Sequence, residues 1–566
     1  MAYDLLLKNG SVVDGSGMPA FHGDVAVKNG KITEVGKLSG AATRVIDVEG
    51  LVIAPGFVDN HCHYDAQVLW DPLCSFSCYH GATTVIFGNC SLALAPVRPG
   101  TEERVAEFLS YVEAIPMDVL NTIDYSWETI PEYMDTLAQR LGVNVGNLIG
   151  HSAVRHYVMG DESQGREATA KEIEDMRRVV REAMQAGALG LSVSKNKGHT
   201  DPQGVHVPAI WASEEEIFGI ASVLGELGTG IIQGGGGRAA ELENRLMSRL
   251  SEATGRQVVY NNLGQNIRRP NEWKELMAIV EETAEAGIRA YPLCSPNFGG
   301  STFTMKNAQV FRTETWDPIL RLSDEEKLRA YSDPEVRKKL HTEAIEWQGV
   351  LPAANIAQNW YEHMWVAEPV LEKNQWMRGK TLSEIAKQQD KGVIDTLLDL
   401  VVEEKLETVI RHATGNSDKA AMTQILNYPK AIVGLSDGGA HVQFHGGYGY
   451  STNLLGYWVR EQQVMSLEKA VRRLTFESAS TFGIYDRGLL HPGKAADITV
   501  FDPATVRALP EDIVHDFPAG GWRVRELAEG IRCTIVNGEV LIEDGKPTGA
   551  LPGKVMRNTL YQSHHA

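Results

Sequence analysis

Several features that mark secreted, membrane-spanning or nucleic-acid-binding proteins are scarce in this sequence. Its 566 residues include only six cysteines, too few for a disulfide framework, which favours a reducing compartment. It has no run of about 18 or more apolar residues, so we expect no membrane-spanning helix. Only 54 basic side chains face 73 acidic ones, and a net charge of −19 argues against nucleic-acid or membrane-surface partners. Its first residues lack the basic start of a signal peptide, so we expect a cytoplasmic protein.

Short strand-like segments occupy both ends of the chain. Near the start they are separated by pairs such as Asn29-Gly30, which are typical of hairpin turns. The same pattern returns around Asn537 near the other end. We therefore expect residues 1–55 and 486–566 to form one small β-sandwich domain built from both chain termini.

The middle of the chain alternates short apolar runs with helical patterns such as that of residues 168–186. Buried strands that alternate with helices indicate a parallel sheet covered on both faces. We therefore predict an α/β fold, a distorted (β/α)8 TIM barrel over residues 56–485. Nine apolar runs compete for its eight strand positions, and residues 288–293 and 408–410 are the rivals for the seventh.

A long, partly helical segment at about residues 294–405 interrupts this alternation. A (β/α)8 barrel needs about 250 residues, and larger ones carry insertions in their loops. Such an insertion commonly shapes a substrate site. A structural or dimerisation role is nearly as frequent, which leaves a homo-oligomer open.

The strand that starts the barrel ends in two histidines, His61 and His63. Side chains alternate along a strand, so these two point to the same side and Cys62 between them points to the other. Two converging imidazoles form half of a metal site. A hydrogen-bonded pair in a loop is the alternative.

Polar side chains also follow later strands, where barrel enzymes carry their reactive residues. Cys90 follows the second run, His151 the third and Asp437 the last. Taken singly, the cysteine suits a small buried apolar residue and the aspartate suits a turn. Together with the histidine pair they favour a metal site. His199 and His441 lie in loop-like stretches, where surface and site interpretations both stay open.

Five motifs carry a family resemblance. They are Ala54-Pro55-Gly56-Phe57-Val58-Asp59-Asn60-His61-Cys62-His63, Gly81-Ala82-Thr83-Thr84-Val85 with Gly88-Asn89-Cys90, Gly187-Ala188-Leu189-Gly190-Leu191-Ser192, Leu435-Ser436-Asp437-Gly438 and Gly493-Lys494-Ala495-Ala496-Asp497-Ile498. With them the chain resembles the amidohydrolase superfamily, and within it the N-acyl-D-amino-acid deacylase (D-aminoacylase) branch. The resemblance implies a zinc-binding barrel that hydrolyses an amide bond of a small-molecule substrate, typically an N-acylated D-amino acid.

The resemblance also implies roles for individual residues. His61 and His63 match the metal ligands of the first strand, and Cys90 matches the cysteine ligand of the deacylase branch. Asp437 matches the aspartate that neighbours the metal and shuttles protons. The expected cofactor is Zn²⁺, one per chain, with another divalent metal as the alternative.

The chain departs from the resemblance at the fifth and sixth strands, where the family usually adds one histidine each. Gln233 stands at the first position, and Asn261 or Asn262 at the second. Carboxamides are poor zinc ligands beside imidazole and thiolate. We therefore expect one metal, bound by the first-strand histidines and Asp437 with Cys90 as a further ligand.

The mechanism that we expect is attack by a metal-activated water on an amide carbonyl. A catalytic zinc lowers the pKa of its water to about 7. Asp437 takes the water proton as general base and returns it to the leaving nitrogen as general acid. His151, His199 and His441 are candidate substrate-binding residues. Arg155 is a candidate carboxylate clamp, with a structural salt bridge as its alternative.

Three other functions are consistent with the sequence. The same scaffold could hydrolyse a cyclic amide, a dipeptide or a lactone, because barrel enzymes change chemistry through their loops. A metal-dependent decarboxylase would release carbon dioxide instead of an amine. A non-catalytic protein that kept the fold and lost the site is the third, and the missing histidines motivate it.

Overall fold

A computed structural model describes most of the chain, namely residues 2–235, 241–242, 245–306, 308, 313–345 and 359–561. The chain divides into two compact units. The first comprises Met1–Leu263, Lys274–Asn297 and Thr423–Ala566, and the second comprises Gly264–Trp273 and Phe298–Met422.

Both ends of the chain contribute to one nine-stranded sheet in the first unit. From edge to edge its strands are Lys546–Pro547, Glu539–Glu543, Ile531–Val536, Ile498–Phe501, Val52–Pro55, Tyr3–Val12, Phe21–Lys28 and Lys31–Gly36, with Ala42–Asp47 paired beside Tyr3–Val12. Apolar residues such as Leu5, Val25 and Ile535 form one core between these strands. Asn29 and Gly30 both adopt positive φ, as the predicted hairpin turn requires. The predicted β domain built from both chain termini is confirmed.

The second sheet of this unit is parallel and holds the eight barrel strands. In chain order, barrel strands 1 to 8 are Phe57–Asp59, Ala82–Phe87, Asn144–Gly150, Gly190–Ser194, Ile231–Gly235, Val258–Tyr260, Ala290–Cys294 and Ile432–Val433. Ala290–Cys294 takes the seventh position, which decides between the two rival runs. The predicted distorted (β/α)8 barrel is confirmed.

Asn60 joins the first and last barrel strands. Its side chain is fully buried; Nδ2 donates to the Val433 carbonyl at 3.0 Å and Oδ1 accepts from the Leu435 amide at 3.1 Å. The Asp437 amide donates to the His61 carbonyl at 3.1 Å just beyond. These bonds hold the ends of strands 1 and 8 side by side.

Residues near the end of the chain return to the barrel. Val555–Met556 pairs in parallel with barrel strand 3, and Asn558 Nδ2 donates to the carbonyls of Met184 and Ala188. Two short strand pairs precede this segment: Arg507–Ala508 with Ala528–Glu529, and Asp512–Val514 with Arg523–Arg525. Parts of the predicted terminal domain, 486–566, therefore pack on the barrel.

Helices follow most barrel strands and begin at recognisable caps. Ala170–Gln185 starts with a capping box formed by Thr169 and Glu172, and it buries Ile173, Met176 and Val180 along one stripe. Among the residues that the structure describes, the other α-helices of four or more residues outside the insertion are Glu102–Glu113, Met117–Leu120, Ile130–Leu137, His151–Met159, Glu214–Leu227, Leu246–Thr254, Glu272–Glu285, Lys419–Asn427, Tyr450–Asn453, Leu467–Arg472 and Ser478–Thr481. Leu454–Glu461 and Arg473–Glu477 are π-helical, and short 3-10 turns span Gln67–Leu69, Ser77–His80, Gly160–Ser163, Pro208–Trp211 and Pro518–Gly520.

The second unit contains most of the predicted insertion and has its own core. Its antiparallel sheet has the order Gly299–Phe303, Val409–Gly415, Met364–Glu368, so the run that competed for the seventh barrel strand belongs here. Its helices are Trp316–Leu320, Asp324–Ser332, Pro334–Ile345, Leu382–Gln389 and Val393–Glu403, with 3-10 turns at Trp360–Glu362 and Glu372–Met377. Trp316, Trp360 and Leu397 lie in its apolar core.

The six cysteines are all buried and none forms a disulfide. Among the described helices, none combines the length and the apolar character needed to cross a bilayer.

We expect Asn60→Ala to lower the free energy of unfolding of the metal-free protein by about 2–4 kcal/mol, because the buried Leu435 amide loses its acceptor. Thermal and urea unfolding would measure the loss. Asn121→Ala, at an exposed position, is the matched control and should change stability little. Equal stability of the two variants would show that barrel closure does not depend on Asn60.

Candidate metal centre

The four predicted ligands meet at the carboxyl ends of the barrel strands. His61 and His63 follow strand 1, Cys90 follows strand 2 and Asp437 follows strand 8. Asp437 Oδ1 lies 3.4 Å from Nε2 of both histidines, and Cys90 Sγ lies 3.7 Å from His61 Nε2. The ligand atoms of His61, His63 and Cys90 all lie within 4.8 Å of one another.

These separations fit a single tetrahedral metal. Zinc binds nitrogen and oxygen at about 2.0–2.2 Å and sulfur at about 2.3 Å, so its tetrahedral ligands lie roughly 3.3–3.6 Å apart. The separations of 3.4 Å and 3.7 Å agree with these values. Two imidazoles, a thiol and a carboxylate also form a donor set that suits zinc. The residues present therefore fit this metal.

Two of the candidate ligands have strained backbones. Cys90 has a φ of 52° and Asp437 a φ of 57°, in the left-handed region that costs most residues about 1–3 kcal/mol. Such strain persists where the surroundings determine the conformation, and it clusters at functional sites. Here it turns both side chains towards the histidine pair.

Burial and charge set the protonation of the centre. Burial lowers the pKa of His61 to about 3, so its imidazole is neutral and can bind a metal. Burial would raise the pKa of Asp437, but the hydrogen bond with His63 and the neighbouring imidazoles lower it below its ordinary value. Burial raises the pKa of the Cys90 thiol, and a bound metal would deprotonate it.

Glu113 is a buried partner of the centre that sequence reasoning missed. It ends the helix Glu102–Glu113, only 1 % exposed, and its Oε1 lies 3.1 Å from His63 Nδ1. Burial would lower the pKa of His63, but the Glu113 carboxylate and Asp437 raise it above its ordinary value. Glu113 orients Nε2 of His63 towards the other ligands. A signal existed, because Glu113 lies four residues after Leu109 on the apolar stripe of its helix.

Gln233 and Asn261, at the ends of strands 5 and 6, contact the candidate ligands through their side-chain amides. Gln233 Oε1 accepts from the Cys90 amide at 3.1 Å, and its Nε2 donates to Asn261 Oδ1 at 3.1 Å. Asn261 Nδ2 in turn lies 3.3 Å from His61 Nε2 and 3.7 Å from Cys90 Sγ. These two amides thus hold the ligands in place.

A cavity of about 270 Å³ opens above the centre. Its lining residues are His63, Cys90, Val112, Glu113, Asn196, His199, Asn261, Asn262, Asp437 and His441. His199 Nε2 lies 2.9 Å from Asn196 Nδ2, and burial lowers the pKa of His199 to about 4, so this imidazole is neutral. Of the four predicted substrate-binding residues, the structure brings His199 and His441 to the cavity.

A family model described as the amidohydrolase family matches residues 44–542. The chain belongs to the amidohydrolase family. The D-aminoacylase of Alcaligenes xylosoxydans xylosoxydans is 28% identical to it over 98% of each chain. The N-acyl-D-aspartate deacylase of the same organism is 29% identical over 98% of this chain and 95% of its own.

A solved structure of D-aminoacylase is similar to this amidohydrolase with a TM-score of 0.65 and 26% identity, over 98% of this chain and 100% of its own. The family resemblance inferred from the sequence motifs is confirmed.

His151 and Arg155 do not reach the cavity of this amidohydrolase, contrary to their predicted role in substrate binding. Both are fully buried beside Glu216: His151 Nε2 lies 2.7 Å from Glu216 Oε1, and Arg155 Nη1 bonds Oε2. Arg155 also donates to the carbonyls of Ser163 and Arg166. The alternative interpretation of Arg155, a structural salt bridge, agrees with the structure.

We expect Arg155→Ala to lower the free energy of unfolding by about 3–5 kcal/mol, because it leaves the Glu216 carboxylate buried without its cation. Arg155→Met combined with Glu216→Gln should recover part of the loss. Urea unfolding and steady-state kinetics would be compared. If Arg155→Ala raised KM and left the free energy of unfolding unchanged, Arg155 would bind the substrate after all.

Glu113→Gln is expected to weaken zinc binding about 10–100-fold, because a neutral amide orients His63 less strongly than a carboxylate does. Competition with a chelator of known affinity would measure the effect. Glu103→Gln, at an exposed position on the same helix, is the matched control. An unchanged zinc affinity of Glu113→Gln would show that Glu113 does not support the metal centre.

Proposed function

We propose that this amidohydrolase hydrolyses the amide bond of N-acyl-D-amino acids with the help of one tightly bound zinc ion. One observation carries the proposal: His61, His63, Cys90 and Asp437 converge beneath an open cavity. Relatives that are similar over nearly their whole length are named D-aminoacylase and N-acyl-D-aspartate deacylase, which supports the substrate class.

The donor set supports zinc as the cofactor. His61, His63, Cys90 and Asp437 would hold the ion, and Glu113 would orient His63. A zinc ion bound there would polarise the substrate carbonyl and lower the pKa of the attacking water.

The exposure of Asp437 supports a role for it in proton transfer. Its side chain is 33% accessible, compared with 0% for His61 and 3% for His63, so it faces the cavity as well as the ligands. We infer that its carboxylate takes a proton from the attacking water and passes it to the amide nitrogen. The water oxygen joins the carbonyl carbon, the C–N bond breaks, and a carboxylic acid and a free amino acid result.

His199, Asn196 and Asn262 are the polar groups that we assign to the substrate. All three line the cavity, and the neutral His199 can exchange hydrogen bonds with the acyl or amino-acid part. His441 lies on the same wall.

A panel of N-acetyl-D-amino acids and their L forms, assayed for release of free amino acid, tests the proposal. We expect hydrolysis of at least one D substrate and its loss after chelation, with recovery on adding zinc. Hydrolysis of cyclic imides or lactones alone would favour another hydrolase on this scaffold, and release of carbon dioxide a decarboxylase. A chain that takes up no zinc and turns over no substrate would contradict the proposal.

Asp437→Asn, assayed at saturating zinc, should lower kcat by about 10²–10⁴-fold, because an amide cannot take and return the proton. Asp118→Asn, at an exposed position, is the matched control and should retain full activity. Circular dichroism would show that both variants are folded. Undiminished turnover by Asp437→Asn would exclude its role as base and acid.

A further inference from the structure

Two more histidines lie beside the metal centre. Asp437, His441 and His445 each offer one ligand atom, and these three atoms lie within 4.8 Å of one another. The rings of His441 and His445 have centroids 5.5 Å apart. Asp437 belongs to this group and also lies 3.4 Å from Nε2 of both histidines of the first centre.

A single turn of the chain brings the two imidazoles together. The Ala440 amide donates to the Asp437 carbonyl at 2.9 Å, and the amides of Phe444 and His445 donate to the His441 carbonyl at 2.7 Å and 3.3 Å. The ring centroids, 5.5 Å apart, show that both imidazoles lie on the same side of this turn. Two histidines at this spacing are a common way to bind a metal.

This turn is anchored at both ends. Val442 is fully buried, its amide donates to the Glu113 carbonyl at 3.1 Å, and its carbonyl accepts from the Val524 amide at 2.7 Å. Gly447 packs so closely that a Cβ there would lie 2.2 Å from the Ser436 carbonyl oxygen. The histidines are therefore held in place before any ligand arrives, which lowers the cost of binding one.

The charge of the cavity gives a second argument. Its described lining holds Glu113, Asp437 and Cys90 but no lysine or arginine. A substrate with a free carboxylate therefore meets two carboxyl groups in this lining and no cationic side chain among its described residues.

We propose that Asp437, His441 and His445 bind a second divalent transition-metal cation, with Asp437 shared between the two ions. Two imidazoles and one carboxylate suit zinc or cobalt, but they bind more weakly than a set that includes a thiolate. The first centre therefore fills first. The second cation supplies the positive charge that the described lining lacks and attracts the substrate carboxylate. This role rests on the proposed function, whereas the binding itself does not.

Cobalt titration of the metal-free, full-length protein separates the two ions. The first equivalent is expected to produce the thiolate-to-cobalt charge-transfer band that reports Cys90. The second equivalent should add only ligand-field absorption, because its ligands include no sulfur. Elemental analysis after equilibrium dialysis against zinc should find two ions per chain.

His445→Gln should keep the charge-transfer band and bind one zinc ion per chain. His515→Gln, at an exposed position, is the matched control and should bind two. His445→Asn serves as a second variant if the first does not fold, as judged by circular dichroism. A wild-type protein that saturates at one ion, or a His445 variant that binds as many ions as the wild type, would overturn the proposal.

The same titration distinguishes this inference from the proposed function. If His445→Gln binds one ion fewer than the wild type, the second site is supported. If the wild type shows no charge-transfer band, Cys90 is not a ligand and the first metal centre, on which the proposed function rests, is contradicted. The KM for an N-acetyl-D-amino acid should fall when the second ion binds, while that for its neutral amide should not. Equal KM changes for both substrates would overturn the assigned role in carboxylate binding.

Discussion

The contact between barrel strands 1 and 8 is the constraint on which the metal centre depends. Asp59 Oδ2 accepts hydrogen bonds from Ser77 Oγ at 2.8 Å and from Ser436 Oγ at 2.7 Å, deep inside the protein. Burial raises the pKa of Asp59 to about 7 despite these bonds. This carboxyl and Asn60 bind the end of strand 1 to the end of strand 8, 377 and 375 positions away along the chain. Without that contact, His61 and Asp437 would not lie within 3.4 Å of each other.

The centre has a layered order of polar groups. The candidate ligands lie close to one another. Glu113 supports His63 from behind, at Nδ1, and Gln233 accepts from the Cys90 amide. Asn261, which lines the cavity, contacts His61 Nε2 and Cys90 Sγ. A metal site is tuned as much by such outer partners as by its ligands. With amides in place of imidazoles at strands 5 and 6, these positions support the candidate ligands, and the proposed metal binding falls to the histidines of strand 1 with Cys90 and Asp437.

The sequence predicted the parts of the fold that follow from local periodicity. Strand alternation placed His61 and His63 on one side, and strand ends located Cys90 and Asp437. Other features depended on distant contacts that no local pattern encodes. Glu113 approaches His63 from a separate helix, and Arg155 lies beside Glu216 from the helix Glu214–Leu227 instead of facing the cavity. Residues 408–410 and 288–293 looked alike as apolar runs, and only the separate core of the second unit tells them apart.

The strand at Val555–Met556 has a consequence for how the protein is made. The chain is synthesised from its N-terminal side, so barrel strand 3 is made early. Its partner Val555–Met556 is made about 400 residues later. The barrel and the nine-stranded sheet both wait for late segments before their last hydrogen bonds form. Long-range pairing of this kind slows folding, because the entropic cost of closing a long loop comes before the stabilising contacts form. The last hydrogen bonds of both sheets can therefore form only after Lys546–Pro547 and Val555–Met556 have been synthesised.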